Sequence, residues 1–282
     1  MGEIINVKPL EEKLKKEIEG KVFRLKHRGI HPKVVFLFSK ENKGADIFHR
    51  ILVKLGEELG VFTETIDVMN FSISEIKKVV EELNKDPEIH GIFPIRPLGN
   101  KDIETEIFSA IDPEKDIECL TPENIGRLFS FSPKFIPSTP EASFEILKFF
   151  LNEKKRSIKD YYGKVAVIVG RSITVGRPLY ILSLMNNFVP INLHSKVSDI
   201  SRFTKMGDII FTCAGVPHLI KKGMVKEDSV IIDIGINVTE KGIVGDVDTR
   251  GVVEKVLGIT PVPGGVGDIT NLFVFKSLLS AL

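Results

Sequence analysis

The stretch Lys164-Val165-Ala166-Val167-Ile168-Val169-Gly170-Arg171-Ser172-Ile173-Thr174-Val175-Gly176-Arg177-Pro178 decides the fold. Its first six residues are a short apolar run, the pattern of a strand buried on both faces. Gly170 ends the run, a loop follows, and Gly176 opens a helix that reads through Leu184. Pro178 sits early in that helix, where a missing N–H costs little. A strand, a glycine turn and a helix N-terminus make the layout that sets phosphates against backbone N–H groups. The spacing is Gly-Arg-Ser-Ile-Thr-Val-Gly rather than G-x-G-x-x-G, and no Gly-Lys-Ser/Thr follows to make a P-loop. An ordinary βα turn, with glycines for geometry alone, is the competing reading.

The next strand, residues 189–193, bears on that choice. A site for NAD usually places an Asp or Glu about twenty residues after the glycines, on the ribose hydroxyls. Here His194-Ser195-Lys196 stand at that place, with no acid until Asp199. A hydroxyl and a cation suit a 2′-phosphate, and Arg171 can add a second, bidentate charge. NADP is therefore expected over NAD, with a solvated charge pair as the alternative.

Working outward, residues 208–213 and 229–234 read as further strands. Asp246, the tight segment 261–267 and an apolar helix over 269–282 follow. Upstream, Leu10, Leu14, Ile18, Val22 and Leu25 repeat at helical spacing over residues 9–28. Residues 33–39 read as a buried strand, 45–59 as a helix and 61–68 as a strand. Over 72–83 a helix is expected, with Ser72 and Glu75 as a capping box. Residues 91–95 read as a short strand. Such alternation predicts α/β architecture with mostly parallel sheets. Turn residues cluster at 112–116, 121–123 and 137–140, so the middle reads as loop-rich, and a helix over 142–151 bridges the two series.

Composition narrows the function classes. The 282 residues are 43% hydrophobic and 27% charged, enough for a sizeable core. Thirty-nine basic and thirty-eight acidic residues give a net charge of +1, so nucleic acid is not an expected partner. Two cysteines, Cys119 and Cys213, form neither a disulfide framework nor a thiolate zinc site, and no metal is expected. The start has no apolar h-region, and no run approaches a membrane span. A cytoplasmic protein without membrane contact is expected.

Taken together, these motifs resemble the methylenetetrahydrofolate dehydrogenase/cyclohydrolase family. The likeness lies in Val169-Gly170-Arg171-Ser172, Val175-Gly176-Arg177-Pro178, His194-Ser195, Asp233-Ile234-Gly235-Ile236-Asn237 and Gly245-Asp246-Val247. It is most specific in Thr260-Pro261-Val262-Pro263-Gly264-Gly265-Val266-Gly267 with Thr270. Pro113-Glu114-Lys115-Asp116, Asn124-Ile125-Gly126-Arg127-Leu128 and Thr139-Pro140 extend it through the first half. The resemblance implies two α/β domains flanking a cleft, and a homodimer. The expected domains are a folate-binding catalytic domain over 1–140, with helix 266–282 packing back onto it, and a Rossmann-like NADP-binding domain over 141–282. It further implies oxidation of methylenetetrahydrofolate with NADP and, in many members, hydrolysis of the methenyl product. Gly170, Arg171, Ser172, Gly176, Ser195 and Ile236 would hold the cofactor, and Pro263, Gly264 and Gly265 the folate.

On the folate side the chain departs from the family. The family's Tyr, and its Lys four residues later, correspond to Phe48 and Leu52. Its Gln-Leu-Pro-Leu-Pro corresponds to Ile95-Arg96-Pro97-Leu98-Gly99, and its pterin-binding Asp to Glu118, with Cys119 in place of the next Gly. Phe48, Leu52 and Ile95 are thus the expected substrate contacts, with Glu118 and Arg96 the candidate catalytic groups. Lys54 lies about 200° around the helix from Leu52 and points away. Arg96 ordinarily faces the opposite side of the strand from Ile95. General acid–base help is worth about 10²–10⁴-fold, so hydrolysis should suffer more than hydride transfer. A non-catalytic paralogue that binds NADP or folate in a regulatory or assembly role is the alternative, and oxidation of another substrate a third.

Overall fold

The computed structural model describes residues 2–99, 101–240 and 242–282. They divide into two compact bodies. One contains the segment ending at Glu11 together with Thr139–Thr270; the other contains Glu12–Ser138 and Asn271–Leu282.

The chain opens with β1 (Glu3–Ile4) and α1 (Lys8–His27). Leu10, Leu14, Ile18, Val22 and Leu25, the predicted apolar stripe of α1, are all buried. Then come β2 (Lys33–Phe38), α2 (Lys43–Leu59), β3 (Phe62–Asp67), α3 (Ile73–Lys85) and β4 (Gly91–Pro94). The three strands β2–β4 form a parallel sheet in the order β3-β2-β4. Asn42 caps α2 by accepting from Ala45 N at 3.0 Å. The Ser72–Glu75 capping box on α3 forms as the sequence predicts. At the other end of α3, Lys115 Nζ donates to the carbonyls of Leu83, Asn84 and Asp86, a cation satisfying otherwise orphaned acceptors.

The middle of the chain is less loop-like than predicted. It contains α4 (Lys101–Ala110), α5 (Pro122–Phe129) and α6 (Ser138–Glu153). Residues 121–123 read as a turn, but Thr121 caps α5 by accepting from Asn124 N, and Pro122 occupies the first turn. Proline there presets the helical φ without removing a needed donor. The 137–140 segment obeys the same logic: Pro140 lies inside the first turn of α6, so the helix starts four residues before the predicted 142. On one face of the small sheet, α3 and α4 share an apolar core with Val35, Leu37 and Ile92.

In the other body, β5 (Val165–Val169), α7 (Gly176–Met185), β6 (Val189–Leu193), α8 (Ser201–Thr204), β7 (Ile209–Thr212) and β8 (Val230–Asp233) come in succession. A two-stranded antiparallel ribbon pairs β9 (Asn237–Thr239) with β10 (Gly242–Val244). Next are α9 (Thr249–Val252), β11 (Gly258–Ile259) and α10 (Val266–Ser280). Six strands form a parallel sheet in the order β1-β11-β8-β7-β5-β6. Strands β5, β7 and β8 are almost wholly buried, as their unbroken apolar runs require. Although it opens the chain, β1 pairs with β11 at the far edge of this sheet.

Candidate functional site

In the six-stranded sheet, β5 lies between β6 and β7, so the strand order reverses there. Ligands of open α/β sheets bind outside the carboxyl ends of the strands at such a point. Gly170 leaves β5 at that place with φ +134, and a side chain there would lie 2.5 Å from the Cys213 carbonyl. Gly176 is equally constrained, because a Cβ would run into the Gly170 carbonyl. Asn192 on β6 fixes the same loop by donating to Gly170 O at 2.6 Å.

Beside this loop is a cavity of about 560 Å³. Arg171, Ser172, His194 and Ser195 supply its polar wall, and Ala214, Val216 and Leu219 are among its apolar residues. Neither the Arg171 guanidinium nor the Ser195 hydroxyl has a side-chain partner among the described residues, so both are available to a ligand. Lys196 does not line the cavity; its backbone N–H donates to His194 Nδ1. Ile236 is 63% exposed on the segment between β8 and β9 and lies outside that lining.

One expectation is corrected in this loop. The N–H groups at the start of α7 read as phosphate donors, yet Ser172 already satisfies them. Its Oγ accepts from Val175 N at 3.2 Å and Gly176 N at 3.3 Å, and its carbonyl accepts from Arg177 N. Pro178 has no N–H, and Leu179 N bonds to Val175 O. Ser172 thus caps the helix instead of leaving its end open.

Two buried aspartates tie the surrounding loops together. Asp233 Oδ1 accepts from the Thr212 hydroxyl at 2.9 Å and from Gly235 N and Asp246 N, both at 3.1 Å. Its Oδ2 accepts from Val247 N at 2.9 Å. Burial, with the Asp246 carboxylate adding to it, pushes the Asp233 carboxyl up to about 6 against the pull of these donors. Asp246 in turn receives Ala214 N, Gly215 N and Val216 N. Neither aspartate was singled out as a site residue from the sequence, because nothing in it marks them as buried.

On the three-stranded sheet, Phe48 and Leu52 lie one helical turn apart on α2, and the Phe48 and Phe93 rings stand 6.4 Å apart. Phe93 and Ile95 alternate onto that same face. Leu52 and Ile95 are 0% and 1% exposed. The three positions at which the resemblance implies a Tyr, a Lys and a Gln thus form an apolar strip. Lys54 is two positions along α2 from Leu52. His49 stacks on Phe38 at 4.4 Å and meets the Thr65 hydroxyl at 2.8 Å.

Arg96 turns to the other face, as strand alternation predicts. Its Nη2 and Nε reach Glu104 Oε2 on α4 at 2.6 and 3.0 Å, and its guanidinium lies 5.7 Å from the Phe108 ring centre. Glu104 is buried and also accepts from Leu98 N, so the pair fixes the turn after β4. Glu118 is buried as well, accepting from Ser138 N at 3.1 Å and Ser138 Oγ at 2.6 Å at the start of α6. Cys119 adopts φ +56, a backbone region that favours the glycine the family carries, and burial raises its thiol. Cys213, half-buried at the end of β7, has its thiol pushed up to about 12 by burial. Between β11 and α10, Pro263 and Gly264 are exposed and Gly265 is buried, with Gly264 at φ +90. No helix among the described residues is long and apolar enough to cross a membrane.

Comparison with known proteins identifies the family. The family described as tetrahydrofolate dehydrogenase/cyclohydrolase, NAD(P)-binding domain, matches residues 137–282. The corresponding catalytic-domain family matches residues 5–118. A bifunctional protein FolD from Dictyoglomus thermophilum is 40% identical over 283 residues, covering 100% of this chain and 98% of that relative. The crystal structure of bifunctional FolD from Campylobacter jejuni superposes with a TM-score of 0.89 at 33% identity, covering 99% and 98% of the two chains. A Trypanosoma brucei FolD structure, complexed with NADP cofactor and inhibitor, gives 0.90 at 26% identity, covering 99% and 96%.

Proposed function

This chain belongs to the tetrahydrofolate dehydrogenase/cyclohydrolase family, and from that premise we propose that it oxidises methylenetetrahydrofolate to methenyltetrahydrofolate with NADP. The observation that carries this reading is the cavity at the strand-order reversal, lined by Arg171 and Ser195, whose side chains have no partner among the described residues. A guanidinium and a hydroxyl match the extra phosphate of NADP. Gly170 and Gly176 let the loop pass without a side chain in the way, and Ser172 holds its shape. Ile236, exposed on its segment, supplies an apolar contact to the cofactor. When bound, the nicotinamide accepts the hydride.

The chain's own task is then positioning. Pro263, Gly264 and Phe48, which keep exposed surface, are the proposed folate contacts, whereas Leu52, Ile95, Gly265 and Glu118 are buried and do not reach a ligand directly. Position without proton exchange suffices for hydride transfer. Hydrolysis of the methenyl product requires proton transfers instead. Leu52 and Ile95 can neither give nor take a proton, Arg96 is engaged by Glu104 and cannot deprotonate, and Glu118 is bonded to Ser138. We therefore propose a dehydrogenase whose cyclohydrolase step is slow. Nothing observed favours a non-catalytic role.

A homodimer working in the cytoplasm is part of the same proposal, and sedimentation equilibrium checks the dimer. For the activity, purified protein is mixed with methylenetetrahydrofolate and NADP, and reduced cofactor is followed. NADP-dependent turnover is expected; NADP binding with no turnover would leave the non-catalytic reading standing.

A further inference from the structure

Asp246 is fully buried beside the cofactor cavity, and the chemistry proposed above does not use it. Three consecutive backbone N–H groups converge on its carboxylate. Ala214 N and Gly215 N donate to Oδ2 at 2.6 and 3.1 Å, and Val216 N donates to Oδ1 at 2.9 Å. Asn237 Nδ2 adds a fourth bond at 2.9 Å. Gly215, at φ +67, allows the turn that aims all three N–H groups the same way. Successive N–H groups arranged so make a concavity for an anion.

This one lies just past the carboxyl end of β7, beside the strand-order reversal, where a dinucleotide's diphosphate ordinarily finds backbone donors. Here the chain's own carboxylate fills it. The N–H groups opening α7 are likewise taken, by the oxygens of Ser172. These two sets of backbone donors are therefore internally occupied.

We propose that Asp246 is a positioning residue for the dinucleotide. By plugging the concavity it holds Ala214 and Val216 in place as cavity wall, so that the dinucleotide lies against that wall and not in the concavity. This rests on reading the cavity as the NADP site. A merely structural aspartate would lower stability without a selective effect on cofactor affinity.

The test is calorimetric titration of NADP into the full chain and into Asp246→Ala and Asn237→Ala. Asp246→Ala is expected to weaken NADP by about 10- to 100-fold. Sodium formate, a carboxylate small enough to enter the emptied concavity, should restore affinity several-fold beyond sodium chloride at equal ionic strength. It should leave the unmodified chain unchanged. In turnover, KM for NADP should rise while kcat at saturating NADP stays within about twofold. Asn237→Ala keeps the carboxylate but drops one of its four donors, and should weaken NADP about two- to tenfold; it decides the matter alone if Asp246→Ala does not fold. Unchanged affinity, tighter binding or a loss that formate cannot restore overturns the proposal. If the unmodified chain binds no NADP, the reading of the cavity fails instead.

Discussion

The two parallel sheets carry their polar groups in opposite ways. At the carboxyl edge of the six-stranded sheet, polar groups are either pinned in a buried lattice, as Asp233 and Asp246 are, or left facing a cavity, as Arg171 and Ser195 are. In the body with the three-stranded sheet, Leu52 and Ile95 are apolar and buried where the resemblance implies a Lys and a Gln, and Arg96 and Glu118 are bonded to Glu104 and Ser138. The first region leaves a cation and a hydroxyl facing a cavity, which suits the proposed cofactor. The second offers no proton-exchanging side chain at those two places. Hydride transfer asks only for position, whereas hydrolysis asks for a proton carrier, so the two steps should separate in this chain.

The largest expected effect is a gain. Restoring the family's polar set together, Phe48→Tyr with Leu52→Lys and Ile95→Gln, should raise methenyl hydrolysis by about 10²–10⁴-fold, the range of general acid–base help. Decay of methenyltetrahydrofolate under the triple variant measures it. Leu52→Lys alone should lower stability by several kcal/mol, because it buries an ammonium without a partner.

Next in size, Gly170→Ala attacks the cofactor side. With φ at +134 and the Cys213 carbonyl 2.5 Å from the new methyl, the loop must shift. A loss of about 2–4 kcal/mol in urea unfolding is expected, with NADP binding falling alongside. Arg171→Ala should leave the fold intact, weaken NADP by about 10- to 100-fold and leave NAD within about twofold. Equal loss for both dinucleotides would place the arginine on the diphosphate rather than the extra phosphate.

The smallest effect concerns pH. The Asp233 carboxyl is raised from about 4 to about 6 by burial. Between those values the folded chain binds the proton and the unfolded chain does not. Its contribution to stability is therefore full below about pH 4 and lost as pH rises through about 6. An isotope-edited NMR titration should give a midpoint near 6; one near 4 would mean that the hydrogen bonds outweigh burial.

Much of the fold was legible because long elements carry a period. The stripe of α1, the apolar runs of β2, β5, β7 and β8, and the Ser72–Glu75 box all arise from local chemistry. The α5 start was missed because Thr-Pro-Glu serves equally as a turn and as a capped helix opening, and only the packing of the residues beyond it decides. Strands β1, β9, β10 and β11 are two or three residues long, too short for any period, and are defined by their partners. At the site, the glycine loop and Ser195 could be read from spacing. The role of Ser172 as a cap, the Arg96–Glu104 pair and the Asp246 contacts could not, since each depends on residues brought together by the fold.

The separation of the two steps is tested most directly by giving the protein methenyltetrahydrofolate without any NADP and timing its disappearance against buffer alone. A protein-dependent rate about 10²-fold or more below its hydride-transfer turnover is the predicted result, in a sample shown to transfer hydride from methylenetetrahydrofolate. A protein-dependent decay at a rate matching its dehydrogenase turnover would contradict the account, because it would mean that the apolar strip has not cost the chain its proton carrier.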